Sequence, residues 1–292
     1  MLKNNKLEKN KYEILVAEGI KLANQQELVK AENIFFEAIN LDKKKHEAYI
    51  NLSNVYILQN QKEKSIELLT NYISKYKFNE NIANYAGELF YNYNYISELK
   101  NLFNICNLNQ KENTKTKKYL YFIQGKFFER NQDFSNAKKS YLKSISCDQL
   151  FFQSYSHLLS LLEKTNDLEN LKLLIENGLK NFDQDNNHRL IIFYKAILLN
   201  RQKKFKISQE IIKSFDLNNK FLENKYLHVR LLDLNIKNLE KLGSYSEAYN
   251  KAKEKNDVLL SINENKKFNG KIIFDNISKY KKFYTKKNMN II

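Results

Sequence analysis

Histidine, cysteine and clustered glycine are the residues from which this chain would build metal, nucleophilic or phosphate chemistry, and none of them gathers. His46, His157, His188 and His228 are scattered, with no His/Cys/carboxylate spacing suited to a metal ion. Neither Cys106 nor Cys147 has a histidine close by in sequence, and two cysteines are too few for a disulfide framework. The six glycines (19, 87, 125, 178, 243 and 270) never form a phosphate-cradling loop. No catalytic, metal or cofactor-binding residue is assigned, and the chain is expected not to be an enzyme.

The wider composition points the same way. Proline is absent from all 292 residues and glycine is rare, which argues for long helices and against turn-rich β architectures. Hydrophobic residues make up 42% of the chain, with 19 Tyr and 19 Phe, so a substantial core is affordable without disorder. The formal charge is +16, yet only Arg130, Arg189, Arg201 and Arg230 are arginines. A lysine excess is a diffuse electrostatic footprint and lacks the bidentate guanidinium contacts of nucleic-acid readers, so nucleic acid is not the expected partner. The excess also sits at the ends: residues 1–12 carry net +3 and residues 266–292 net +7. The simplest reading of those ends is solvated charge; binding to nucleic acid through them is a lesser alternative.

The elements that position everything else are repeats. One spacing recurs seven times: small, x2, bulky apolar, x8, small or apolar, x3, aromatic or aliphatic, x2, small. The clearest copies are Gly19-x2-Leu22-x8-Ala31-x3-Phe35-x2-Ala38 and Gly125-x2-Phe128-x8-Ala137-x3-Tyr141-x2-Ser144. Steps of three and four place apolar groups on one helix face, and the gap of eight carries the chain through a tight turn into an antiparallel partner. Asn131-Gln132-Asp133, Asn166-Asp167 and Gly243-Ser244 are the expected turns. Small residues (Gly19, Ser53, Gly87, Gly125, Ala196) mark close helix approach. Cys106, at the last small position of the third unit, is expected to be a buried thiol in a reducing compartment.

This pattern resembles the tetratricopeptide repeat (TPR), over about residues 12–262. The resemblance implies an all-α, right-handed α-solenoid of about seven helix pairs that binds a protein or peptide on its concave face. The proline that often closes such a unit is replaced by Lys43, Lys77, Lys111, Gln149 and Asp183. The face it implies carries Asn51 and Asn54 from the second unit, then Asn84, Tyr85 and Glu88 from the third. Lys126 follows from the fourth, His157 and Ser160 from the fifth, Tyr194 from the sixth and Lys237 from the seventh. The Lys and Asn of chaperone-type carboxylate clamps are replaced by Val16 and Ile20, which argues against that ligand. His157 has no carboxylate or nucleophile near it in sequence and is expected to be structural.

Beyond the seventh unit, Ala248-Tyr249, Asn256 and then Phe274-Asp275-Asn276-Ile277 through Phe283 are similar to the junction of bacterial TPR–sulfotransferase proteins. That resemblance implies a recognition arm whose catalytic, PAPS-binding domain is missing or separately encoded. The expected division is a basic segment 1–11, a solenoid 12–262, and a helix or connector with a basic tail 263–292. With no signal-like apolar run and no membrane span in the sequence, a cytoplasmic location is expected.

Overall fold

The computed structural model describes residues 2–76, 79–108, 117–182, 186–215 and 224–263, without the side chains of 2–10, 106–108, 186 and 263. The described residues hold fourteen helices and no strand. They divide into two compact units, residues 1–167 and 168–292. Unit 1 contains α1 (Leu2–Asn24), α2 (Leu28–Leu41), α3 (Glu47–Leu58), α4 (Lys62–Lys75), α5 (Glu80–Asn92), α6 (Ile96–Leu108), α7 (Lys118–Arg130), α8 (Phe134–Cys147) and α9 (Phe152–Lys164). Unit 2 contains α10 (Leu168–Asn181), α11 (Asn186–Arg201), α12 (Phe205–Lys213), α13 (Lys225–Lys241) and α14 (Tyr245–Asn263).

Each helix pair turns in the same way, and the turn explains the gap of eight. The bulky residue of the repeat (Leu22, Tyr56, Phe90, Phe128, Leu162, Leu199 or Leu239) offers its carbonyl to the amide five residues on, at 2.8–3.0 Å. Between them lies one residue of positive φ: Gln26, Asn60, Asn94, Gln132, Asn166, Lys203 and Gly243 in turn. Its own amide donates to the carbonyl three residues back, as Gln132 does to Glu129 at 3.0 Å. This is the Schellman closure, which satisfies the orphan carbonyls at the helix end. The second helix starts within two residues of the left-handed position, and Asp133 caps α8 by accepting from the Asn136 amide at 3.1 Å.

At two of the small positions a ring lies on the backbone. A Cβ on Gly19 would sit 2.6 Å from Cε1 of Phe35, and one on Gly125 would sit 2.5 Å from Cδ1 of Tyr141. In each case a ring from the second helix rests on the backbone of the first, and both rings are essentially fully buried. In the second pair the small residue is polar, and Ser53 Oγ meets Ser65 Oγ at 2.5 Å across the same interface. The core of unit 1 continues through Leu52, Leu69, Phe90, Leu102 and Ile123, each at most 1% exposed. Burial of side chains of this size stabilises by about 1.5–3 kcal/mol each.

Unit 2 has an apolar core around Leu171, Ile175, Phe193, Ile212 and Leu232, and a polar seam that the repeat pattern did not announce. Asn238, fully buried on α13, donates to Ser208 Oγ at 2.8 Å and accepts from Asn200 Nδ2 at 2.6 Å. Ser208 in turn donates to the Ala196 carbonyl at 2.8 Å. α11, α12 and α13 are thereby joined by satisfied hydrogen bonds, which is the condition under which buried polar groups are tolerated.

α1 spans Leu2–Asn24, so residues 2–11 of the expected basic segment 1–11 are helical and continuous with the first repeat. α14 runs through Ala248, Tyr249 and Asn256 without a break; Ala248 is buried, and Tyr249 and Asn256 are exposed. The connector Phe274–Phe283, the basic tail and the side chain of Cys106 lie outside the described residues. Cys147 is a free, buried cysteine.

Glutamine and lysine hold the left-handed turn at a steric cost that glycine does not carry. Gln132→Gly and Lys203→Gly are therefore expected to stabilise the protein by about 0.5–1 kcal/mol each. Urea unfolding followed by far-UV circular dichroism reads this as a raised midpoint, and a lowered one would contradict the turn assignment.

Candidate functional site

In unit 1 the polar side chains of the first helices join from one repeat to the next. Asn54 of α3 accepts from the Tyr85 hydroxyl of α5 at 2.7 Å, and that hydroxyl also lies 3.2 Å from Ser53 Oγ. One repeat further, Glu88 of α5 accepts from the Tyr119 hydroxyl of α7 at 2.6 Å. Lys126 of α7 lies 3.5 Å from the other oxygen of Glu88. Its ammonium also stands over the rings of Tyr91 at 4.5 Å and Phe122 at 5.5 Å. Arg130, on the same helix, stacks on Tyr91 at 4.3 Å and donates to its carbonyl. Burial raises the pKa of Tyr85 and Tyr119, the second with help from the Glu88 carboxylate, so both remain neutral donors at physiological pH.

The third junction contains the least expected group. The Tyr141 hydroxyl of α8 donates to Glu129 of α7 at 2.7 Å, and His157 Nδ1 of α9 lies 3.3 Å from that hydroxyl and 3.6 Å from the same carboxylate oxygen. Because the tyrosine proton is committed to Glu129, Nδ1 is the protonated nitrogen of the imidazole, and in the neutral ring Nε2 keeps the lone pair. The imidazole also meets Phe122 edge to face at 5.0 Å. The neighbouring His157 imidazole, followed by the hydrogen bond from Tyr141, lowers the Glu129 pKa. Burial and then the bond to Glu129 raise that of Tyr141. The expectation that His157 has no carboxylate beside it is corrected: Glu129 is 28 residues away in sequence, and helix stacking alone brings it there.

The other expected residues divide clearly. Asn51 is half-buried and its amide donates to the Glu47 carbonyl of its own helix at 2.8 Å. The Asn84 amide oxygen is shielded from solvent and lacks a hydrogen-bond partner. Ser160 is half-buried on α9. Lys126 and Glu88 are engaged with each other rather than free for a ligand. Tyr194, in unit 2, is a correction: it is 2% exposed, and Arg230 donates to its hydroxyl at 3.2 Å, so it belongs to the core and not to an open face. Lys237 is exposed on α13. Val16 packs against the unit 1 core and Ile20 is exposed, so a lysine–asparagine clamp is absent there.

Reading the sequence missed Tyr119 and Glu129 on this surface, and Phe122 and Tyr141 buried beneath it. Tyr141 carried a signal, since it fills the aromatic position of the repeat, but nothing marked its hydroxyl as reaching back to the first helix. Tyr119 stands beyond the insertion that precedes the fourth unit, which hid its register. Among the described residues no group of three His, Cys, Asp or Glu side chains is placed to hold a metal ion. No helix among them is long and apolar enough to cross a membrane.

No family model matches the chain, and no curated protein matches it. Solved structures do. The chain is similar to PilF of Pseudomonas aeruginosa, with 11% identity over 74% of this chain and 97% of that one, at a TM-score of 0.52. It is also similar to PilW, a widely conserved type IV pilus biogenesis factor, with 12% identity over 73% and 96% and the same TM-score of 0.52. A tetratricopeptide repeat protein from Parabacteroides merdae has 13% identity over 85% and 93%, at 0.49. At these identities the likeness concerns the fold, which is an all-α, TPR-like solenoid of about seven helix pairs.

Glu129 offers a test of the third junction. Its lowered folded-state pKa means that its stabilisation is present above the ordinary glutamate value of about 4.3 and is lost as pH falls through the folded value. Glu129→Gln removes that dependence. The stability gap between the parent and the variant, measured by urea unfolding, is expected to be larger at pH 6 than at pH 3. Parallel pH profiles would contradict the assignment.

Proposed function

We propose that the chain is a protein- or peptide-binding scaffold whose partner lies along the first-helix face of unit 1. One observation carries the reading. Side chains of α3, α5, α7 and α9 are linked across successive repeats by Asn54–Tyr85, Glu88–Tyr119 and Glu129–His157 contacts, and the same face keeps Asn54 exposed and His157 41% exposed. A face tied in this way is held in place before any partner arrives, which lowers the ordering cost of binding. Its chemistry suits an extended peptide: amides to meet backbone groups, half-buried tyrosine rings as rigid plates, and charges already paired within the face.

Two further features support a scaffold. The carboxylates of this face, Glu88 and Glu129, are each engaged by a tyrosine and a basic side chain within the face. The all-α, TPR-like fold is one the chain shares with PilW, a type IV pilus biogenesis factor.

Immobilised protein incubated with lysate of its own source organism, read by quantitative mass spectrometry, tests the reading. Asn54→Glu and Lys126→Glu are expected to lose the partner, with about tenfold or greater loss of capture and no change in helicity. Capture that survives both substitutions and disappears only on unfolding would contradict it.

A further inference from the structure

Unit 2 carries a cleft that no feature of the repeat pattern assigns. Its volume is ≈ 320 Å³, and it is formed by α10, α11 and the turn leading into α12. The floor is aliphatic: Ile175 and Leu198 are 3% and 5% exposed, and Leu179 beside them is half-buried. The rim carries three ammonium groups, from Lys172, Lys195 and Lys204, against one carboxylate, Glu176.

The charges are not neutralised within the fold. Lys172 and Glu176 approach to 3.9 Å as an exposed pair one turn apart, an arrangement of little energetic weight. Lys195 and Lys204 are exposed and have no carboxylate partner among the described residues. The rim is therefore basic by two charges around a surface that water wets poorly. A volume at the small end of the range for ligand sites suits one apolar side chain with its flanks. Phosphate backbone would meet the lysines but leave the aliphatic floor uncovered, and the rim holds no arginine to fork a phosphate.

We propose that this cleft is a second docking site, which takes an acidic segment of a partner protein with a leucine-sized side chain seated on the floor and flanking carboxylates on Lys195 and Lys204. The proposal rests on the scaffold reading but uses a different surface. Complementary charge around an apolar anchor gives such a segment both its orientation and its selectivity.

Fluorescence anisotropy with the full chain tests it, using labelled acetyl-Glu-Leu-Leu-Glu-amide as the probe. Exchanging the glutamates for glutamines, or the leucines for serines, is expected to weaken binding by about tenfold or more. The charge-reversed variant Lys195→Glu/Lys204→Glu, altered only at exposed side chains, is expected to lose affinity to the same extent. Asn54→Glu, on the unit 1 face, is expected to bind the probe as the parent does, so a failure of the first-helix reading leaves this result intact. Equal binding of all three peptides, no binding at millimolar probe, parent-like affinity of the charge-reversed variant, or full displacement of the probe by octanoate would each overturn the proposal.

Discussion

A tyrosine ring lying on a glycine backbone is the contact on which the third junction of the described surface depends. Tyr141 is fully buried, and its ring occupies the space that a Cβ on Gly125 would need. That contact sets how closely α8 approaches α7. The hydroxyl at the far end of the same side chain donates to Glu129 of α7, and Glu129 in turn faces His157 of α9. One residue thus fixes the spacing within a helix pair and the polar junction to the next pair. Were α8 held farther out by a larger residue at 125, the hydroxyl would lose its reach and the carboxylate would lose a donor while still half-buried, which is costly.

The second constraint lies in the backbone. Every pair reverses direction through one left-handed residue and two hydrogen bonds. Repetition of that geometry is what lets first helices stack on first helices, α1 beside α3, α3 beside α5 and α5 beside α7. The polar contacts of unit 1 are a consequence of that stacking. Asn54–Tyr85, Glu88–Tyr119 and Glu129–His157 connect residues about 30 apart in sequence, a separation near one repeat, and these three would not form within an isolated pair.

The fold was legible because it is periodic. Seven copies of one spacing were enough to locate the pairs, and Phe134, Leu168 and Tyr245 begin second helices directly after the turns that the asparagine, aspartate and glycine residues marked. The surface was legible only in part. Asn54, Tyr85, Glu88, Lys126 and His157 were placed on first helices by the repeat register, as the structure has them. Their partners were not, since Tyr119, Glu129 and Tyr141 meet them only through stacking across repeats. Tyr194 failed for a related reason: the register gives a side chain's direction on its helix, but the neighbour that covers it is set by tertiary packing. The seam of Asn200, Ser208 and Asn238 was hidden because buried amides look, in sequence, like the asparagines of an exposed face.

The central claim, that the Tyr141 ring on Gly125 sets the helix spacing from which the Glu129–His157 junction follows, is tested most directly by a double-mutant cycle between residues 125 and 141. Gly125→Ala is measured by urea unfolding in the parent and in a Tyr141→Leu background. The account predicts a cost of about 1–3 kcal/mol beside the tyrosine. Beside leucine the cost falls, with a coupling energy above about 0.5 kcal/mol. An alanine at 125 that costs the same in both backgrounds would contradict it.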